Sequence, residues 1–140
     1  MNLLLTNLGK FNKPSVTTAK DFLATCTPTI RTFFRGLLDE AKERNLRIKF
    51  ARKGFTIRSV GQPCFFYSFP PGANGRSIAV IEIYLKDIAA VDPARNTDMR
   101  VRLLQIAGTT ATGDYTIRMP IAEDTLTNAQ ELWRTILDFF

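Results

Sequence analysis

Between Ile30 and Phe50 the apolar period of this chain changes, and the change constrains what it can fold into. Ile30, Phe33, Phe34, Leu37, Leu38 and Ala41 fall at i, i+3, i+4, i+7, i+8 and i+11, the stripe of a helix buried along one face. Thr27 and Pro28 precede it as N-cap and first-turn proline. Lys42 and Arg44 suit the negative end of the helix dipole, and Asn45 is a left-handed stop. These signals predict a helix over about 28–44. From Leu46 the period is two: Leu46, Ile48 and Phe50 alternate with Arg47 and Lys49, as in a strand with one buried face. The parity then flips across Ala51-Arg52-Lys53-Gly54, so that Phe55 and Ile57 are the next apolar pair. A tight hairpin with glycine near its end produces that flip.

Further strands are expected at Cys64–Phe69, stopped by Pro70-Pro71-Gly72, and at Ser77–Lys86, Met99–Ile106 and Tyr115–Met119. Ser77–Lys86 is nearly continuous in apolar residues, which predicts a central strand buried on both faces. Residues 72–76 and 87–98 read as loops, the latter containing Asp92-Pro93. A short helix capped by Thr17 or Thr18 carries Ala19, Phe22, Leu23 and Cys26, and residues 1–14 form a lead-in. Thr127 and Gln130 have capping-box spacing and open a last helix over 127–139. Ala129, Leu132, Trp133, Ile136, Leu137 and Phe140 make its stripe. Each helix must bury its stripe, and one face of the sheet is the surface on offer. The expected fold is α+β: a single domain over 1–140, with a mostly antiparallel five- to six-stranded sheet and both helices packed on one face.

Charge follows the strands. Lys42, Arg44, Arg47, Lys49, Arg52, Lys53 and Arg58 crowd 17 positions against one acid, Glu43. Arg100, Arg102 and Arg118 alternate with apolar residues in the later predicted strands. The net charge is +6. A positive sheet face is a docking surface for a polyanion, whereas a modest net charge also serves solubility alone. Registers decide whether these cations cluster or scatter.

Other features narrow the chemistry. There is no histidine, which removes the usual general base and the usual triads. Cys26 and Cys64 have neither CxxC spacing nor partners for a zinc site, so no metal or cofactor is expected, and the two read as free thiols rather than a disulfide. Glu82-Ile83-Tyr84-Leu85-Lys86 is the nearest text to a metal-dependent nuclease strand, but Tyr84 stands where lysine is needed; an ion pair with a strand arginine is the plainer role for Glu82. In Phe65-Phe66-Tyr67-Ser68-Phe69 the phenylalanines read as core, and Tyr67 as the candidate for base stacking. Phe139 and Phe140 read as the last turn of a docked helix or as a self-association surface. Leu3-Leu4-Leu5 is too short for a signal peptide, and no apolar run approaches the roughly 20 residues that span a bilayer. A cytoplasmic protein without a membrane partner is expected.

The run Gly108-Thr109-Thr110-Ala111-Thr112-Gly113-Asp114 reads as a strand connection whose backbone N–H groups are also available to a phosphate. It is not a P-loop. With the strand Tyr115-Thr116-Ile117-Arg118 and the helix beyond, it resembles a small domain of bacteria and archaea. That domain is found alone or fused to restriction-endonuclease-like proteins of the GmrS/GmrD type, with text similar to G-H-x-G-T-G-D before a strand. Gly108, Thr112, Gly113 and Asp114 match, whereas Thr109 replaces the histidine and Ala111 the middle glycine. The architecture is similar to YjbR-like domains, and the resemblance implies DNA binding without a known activity.

The resulting expectation is a non-enzymatic module binding DNA or RNA. Arg47, Lys49, Arg52, Lys53, Arg58, Arg100, Arg102 and Arg118 are the candidate phosphate contacts, with Tyr67 stacking on a base. The competing expectation is a protein-interaction module that recognises an acidic partner or forms a homodimer.

Overall fold

A computed structural model describes residues 18–73 and 77–140. The expected lead-in over 1–14 and residues 74–76 of the expected 72–76 loop lie outside the described residues. The elements run α1 (Ala19–Ala24), α2 (Pro28–Glu43), β1 (Arg47–Ala51), β2 (Gly54–Arg58), β3 (Phe66–Phe69), β4 (Ala79–Tyr84), α3 (Lys86–Val91), α4 (Pro93–Leu104), β5 (Thr110–Thr112), β6 (Thr116–Ile121) and α5 (Leu126–Leu137). The strands form one sheet in the order β1-β2-β3-β4-β6-β5, antiparallel at every step. The fold is α+β.

Local chemistry explains the boundaries. Thr18 Oγ1 accepts from the Asp21 N–H at 3.1 Å and caps α1. At the end of α2, Asn45 takes φ 58°. This lets the Asn45 N–H reach Lys42 O at 3.0 Å and the Leu46 N–H reach Ala41 O at 2.9 Å. Two carbonyls that the helix would leave open are thereby satisfied, and the chain turns directly into β1. At the other end of the chain α5 starts at Leu126, not Thr127, after a turn in which the Ala122 N–H donates to Thr125 Oγ1 at 3.0 Å.

The main correction concerns residues 86–106. The expected loop 87–98 and strand Met99–Ile106 are instead two helices, α3 and α4. Asp92 Oδ1 accepts from the Arg95 N–H at 3.1 Å, and Pro93 occupies the first turn, the same start signal that opens α2. Met99 and Leu103 are buried four residues apart, while Val101 between them is 53% exposed. A strand would have buried all three; a helix turns Val101 outward.

The helices share one face of the sheet, α2 lying over β1, α5 beside α2, and α4 between α5 and β6. Ile57, Phe55, Phe66, Ile81, Ile83, Ile117, Met119 and Ile121 point into this layer and are buried. Phe22 meets Phe34 and Phe55 edge-on at 4.9 and 4.8 Å, and Phe66 meets Trp133 at 5.5 Å. Each such side chain contributes about 1.5–3 kcal/mol by leaving water. On the other face of the sheet Arg47, Lys49, Arg58 and Tyr84 are exposed, and Thr56, Tyr67, Glu82 and Arg118 are half-buried. The expected double burial of β4 is corrected accordingly: Val80 is buried, Glu82 half-buried and Tyr84 40% exposed.

Candidate nucleic-acid interface

The β1–β2 hairpin decides where its cations go. Ile48, Phe50, Phe55 and Ile57 turn toward the helices, so strand alternation sends Arg47, Lys49 and Arg58 to the open face. Arg47 lies directly opposite Arg58, and Lys49 opposite Thr56. Arg52 and Lys53 form the turn. All five cations are exposed, and among the described residues none makes an ion pair or a side-chain hydrogen bond. Like charges facing each other across a ladder cost a few tenths of a kcal/mol or more. Here no acid offsets that cost. Charge on an edge strand such as β1 also discourages edge-to-edge pairing, which explains cations there but not their gathering around a hollow.

That hollow has a volume of about 500 Å³ and is bordered by Arg47, Lys49, Thr56, Arg58, Cys64 and Tyr67. Registers extend it into a row across all six strands: Lys49, Thr56, Tyr67, Glu82, Arg118 and Thr110. Tyr67 is half-buried at the centre, with the Tyr84 ring 6.5 Å away. Burial raises the Tyr67 hydroxyl above its ordinary pKa, and Cys64, Asp87 and Tyr84 push the same way. The hydroxyl therefore stays a hydrogen-bond donor at neutral pH.

The eight expected contacts do not all assemble. Arg118 reaches the open face, three strands from β2, and its guanidinium pairs with Glu82 at 3.4 Å. Arg100 and Arg102 belong to the helix layer on the opposite side, because their segment is α4 and not a strand. Arg100 donates to Asp114 O at 2.9 Å. Arg102 pairs with Asp138 at 2.8 Å and lies 4.7 Å over the Phe139 ring. Both hold α4 against neighbouring segments. The cluster thus contracts to Arg47, Lys49, Arg52, Lys53 and Arg58, with Tyr67 beside them. Tyr84, Thr56 and Cys64 join it unforeseen. The alternation of Tyr84 and Glu82 with Ile81 and Ile83 carried the signal for Tyr84.

The remaining constellations resolve into structural roles. Glu82 serves the ion pair, and Asp92 caps α4. Among the described residues no group of three or more His, Cys, Asp or Glu side chains converges as a metal site would require. The Gly108–Asp114 run becomes the β5–β6 hairpin, with Thr110–Thr112 paired to Thr116–Arg118. Cys26 and Cys64 are free thiols, and burial raises the Cys26 thiol above its ordinary range. A larger hollow of about 750 Å³ lies between α2 and α5, where the Trp133 indole N–H donates to Glu40 Oε1 at 3.0 Å. It carries both charge signs (Glu40 and Asp138 against Arg44 and Arg134) and so has no preference for a polyanion. No helix of the described residues is long and apolar enough to cross a membrane. Compared with protein families, curated proteins and solved structures, the chain matches none.

Proposed function

We propose that this domain is a non-enzymatic nucleic-acid-binding module whose contact surface is the β1–β2 hairpin and the adjoining open face of the sheet. One observation carries the reading: Arg47, Lys49, Arg52, Lys53 and Arg58 form a single cluster with no acidic partner among the described residues. A surface of this kind attracts a polyanion over a Debye length and releases its counterions on contact. Contacts from flexible Lys and Arg side chains to phosphate position a strand without specifying sequence, so weak sequence preference is part of the reading. The similarity in architecture to YjbR-like domains points the same way.

The triple variant Arg47→Ala/Lys49→Ala/Arg58→Ala tests it against a control, Arg100→Ala/Arg102→Ala, which removes nearly as much charge from the helix layer. Loss of tenfold or more in affinity for a labelled oligonucleotide with the triple variant, and little change with the control, is the expected outcome. Equal losses would mean that net charge rather than this cluster binds. The competing reading, a self-associating module, requires a dimer that survives high salt. Light scattering at two salt concentrations separates the two, with a monomer at both expected here.

A further inference from the structure

The open face has a second property besides charge, and it bears on which nucleic acid fits. Tyr67 and Tyr84 stand on β3 and β4, the two central strands, and the hairpin cations flank them on one side. Their rings are 6.5 Å apart and tilted by 52° to each other, so they are not stacked face to face, and Tyr84 keeps 40% of its surface in water. On the far side of this pair Glu82 is paired with Arg118, and the Asp87 charge also reaches Tyr67, so phosphates are favoured on the hairpin side of the rings, where the cations stand. Val80, the next outward residue of β4, is buried, so the accessible stretch ends there and is confined to the half of the sheet holding both tyrosines.

Duplex and single strand ask different things of a protein. A duplex hides the faces of its bases in the stack and offers this surface only its phosphates and groove edges, which leaves the aromatic rings without a partner. A single strand exposes base faces, which aromatic side chains on an open sheet receive while neighbouring cations track the backbone. The surface here is a hollow beside two aromatic rings. Thr56 and the protonated Tyr67 hydroxyl lie within it as neutral polar groups for a base edge or sugar.

From this arrangement we infer that the domain takes single-stranded nucleic acid, with an unpaired base against Tyr67 and Tyr84 and its flanking phosphates on Arg47, Lys49 and Arg58. The inference rests on the proposed function and narrows it to one class of ligand.

Anisotropy of a labelled oligothymidylate of about 12 nucleotides, beside a duplex of the same length, tests it at about 50 mM salt. The single strand should bind at least tenfold more tightly. Tyr84→Ala and Tyr67→Ala should each weaken single-strand binding by about 5- to 100-fold and leave duplex binding unchanged. Tyr67→Phe, which keeps the ring and the packing, should retain most of the affinity. A duplex bound as tightly as the single strand overturns the inference while leaving the nucleic-acid reading in place. So does unchanged binding by Tyr84→Ala when the Arg47/Lys49/Arg58 variant binds weakly. Absence of binding to either oligonucleotide removes both.

Discussion

Gly54→Ala puts a methyl group where another strand's backbone already lies. Gly54 closes the β1–β2 turn at φ +145°, while Arg52 and Lys53 keep negative φ. The geometry that tight hairpins usually place on their two central residues is here absorbed by the glycine. A Cβ built on it would sit 1.9 Å from Ser68 O, 3.0 Å from Ser68 C and 3.2 Å from the Phe69 Cα. These are backbone atoms, so nothing can rotate away, and β2 must draw back from β3 by about 1 Å for the contact to reach even the 3.0 Å that real Cβ atoms respect. The unfavourable φ adds about 1–3 kcal/mol and the forced separation about 1–3 kcal/mol more. The sum, about 2–6 kcal/mol, is a large part of the about 5–15 kcal/mol a domain commonly has. It should lower Tm by about 7–20 °C for a chain of this size. Urea unfolding followed by the single tryptophan, Trp133, buried at 6% exposure, reads the change. Gly113→Ala is the control: φ is +73°, yet nothing lies within 4 Å of its added Cβ, so only about 1–2 kcal/mol is expected. If the two substitutions cost the same, the Ser68 contact is not what requires glycine at position 54.

Three other outcomes follow from the described contacts. Arg102→Ala should cost about 1 kcal/mol through the lost Asp138 pair and Phe139 contact, read by urea unfolding, and leave oligonucleotide affinity unchanged. In the native protein a thiol reagent such as Ellman's should modify the half-buried Cys64 and spare Cys26, whose thiol is both buried and shifted upward; equal rates would contradict the burial of Cys26. Tyr67 should ionise later than a free tyrosine in a titration followed near 295 nm, and Tyr67→Phe should abolish that late step. Its folded pKa is raised above the ordinary 10.0, so the folded state holds this proton longer than the unfolded one. The stability linked to it is complete below about pH 10 and is lost as pH rises through the folded pKa. Stability rising in that range would reverse the assignment.

Local grammar made the hairpin legible and left the rest of the face hidden. The stop at Asn45, the parity flip and the alternation of Arg47 and Lys49 with Ile48 and Phe50 lie within a dozen residues, so their consequence could be read before any tertiary structure. Arg118 could not be placed, because its position depends on β6 pairing with β4 across more than 30 residues of intervening chain. Arg100 and Arg102 lie on a helix and not on a strand for a different reason. Met99, Val101 and Leu103 satisfy a period of two, while Met99 and Leu103 also satisfy a helical spacing. Asp92-Pro93 was the deciding signal: the same cap-and-proline start that identified α2 at Thr27-Pro28 was present six residues before Met99. Tyr84 was hidden inside an apolar run whose outward half is covered at Val80 and open two residues later, a boundary set by neighbouring segments rather than by the strand itself.

The salt dependence of oligonucleotide binding tests the central claim most directly. Each cation that neutralises one phosphate of a single strand contributes about −0.7 to the slope of log affinity against log salt. If Arg47, Lys49, Arg52, Lys53 and Arg58 all engage, the slope is about −3.5, and affinity falls about 100-fold between about 50 and 200 mM salt. Removing Arg47, Lys49 and Arg58 should flatten the slope to about −1.4. Fluorescence anisotropy against both proteins at several salt concentrations gives both slopes. A steep slope that the triple variant flattens is the predicted result. An affinity that does not change with salt, or a slope the variant leaves intact, would place the interaction on another surface.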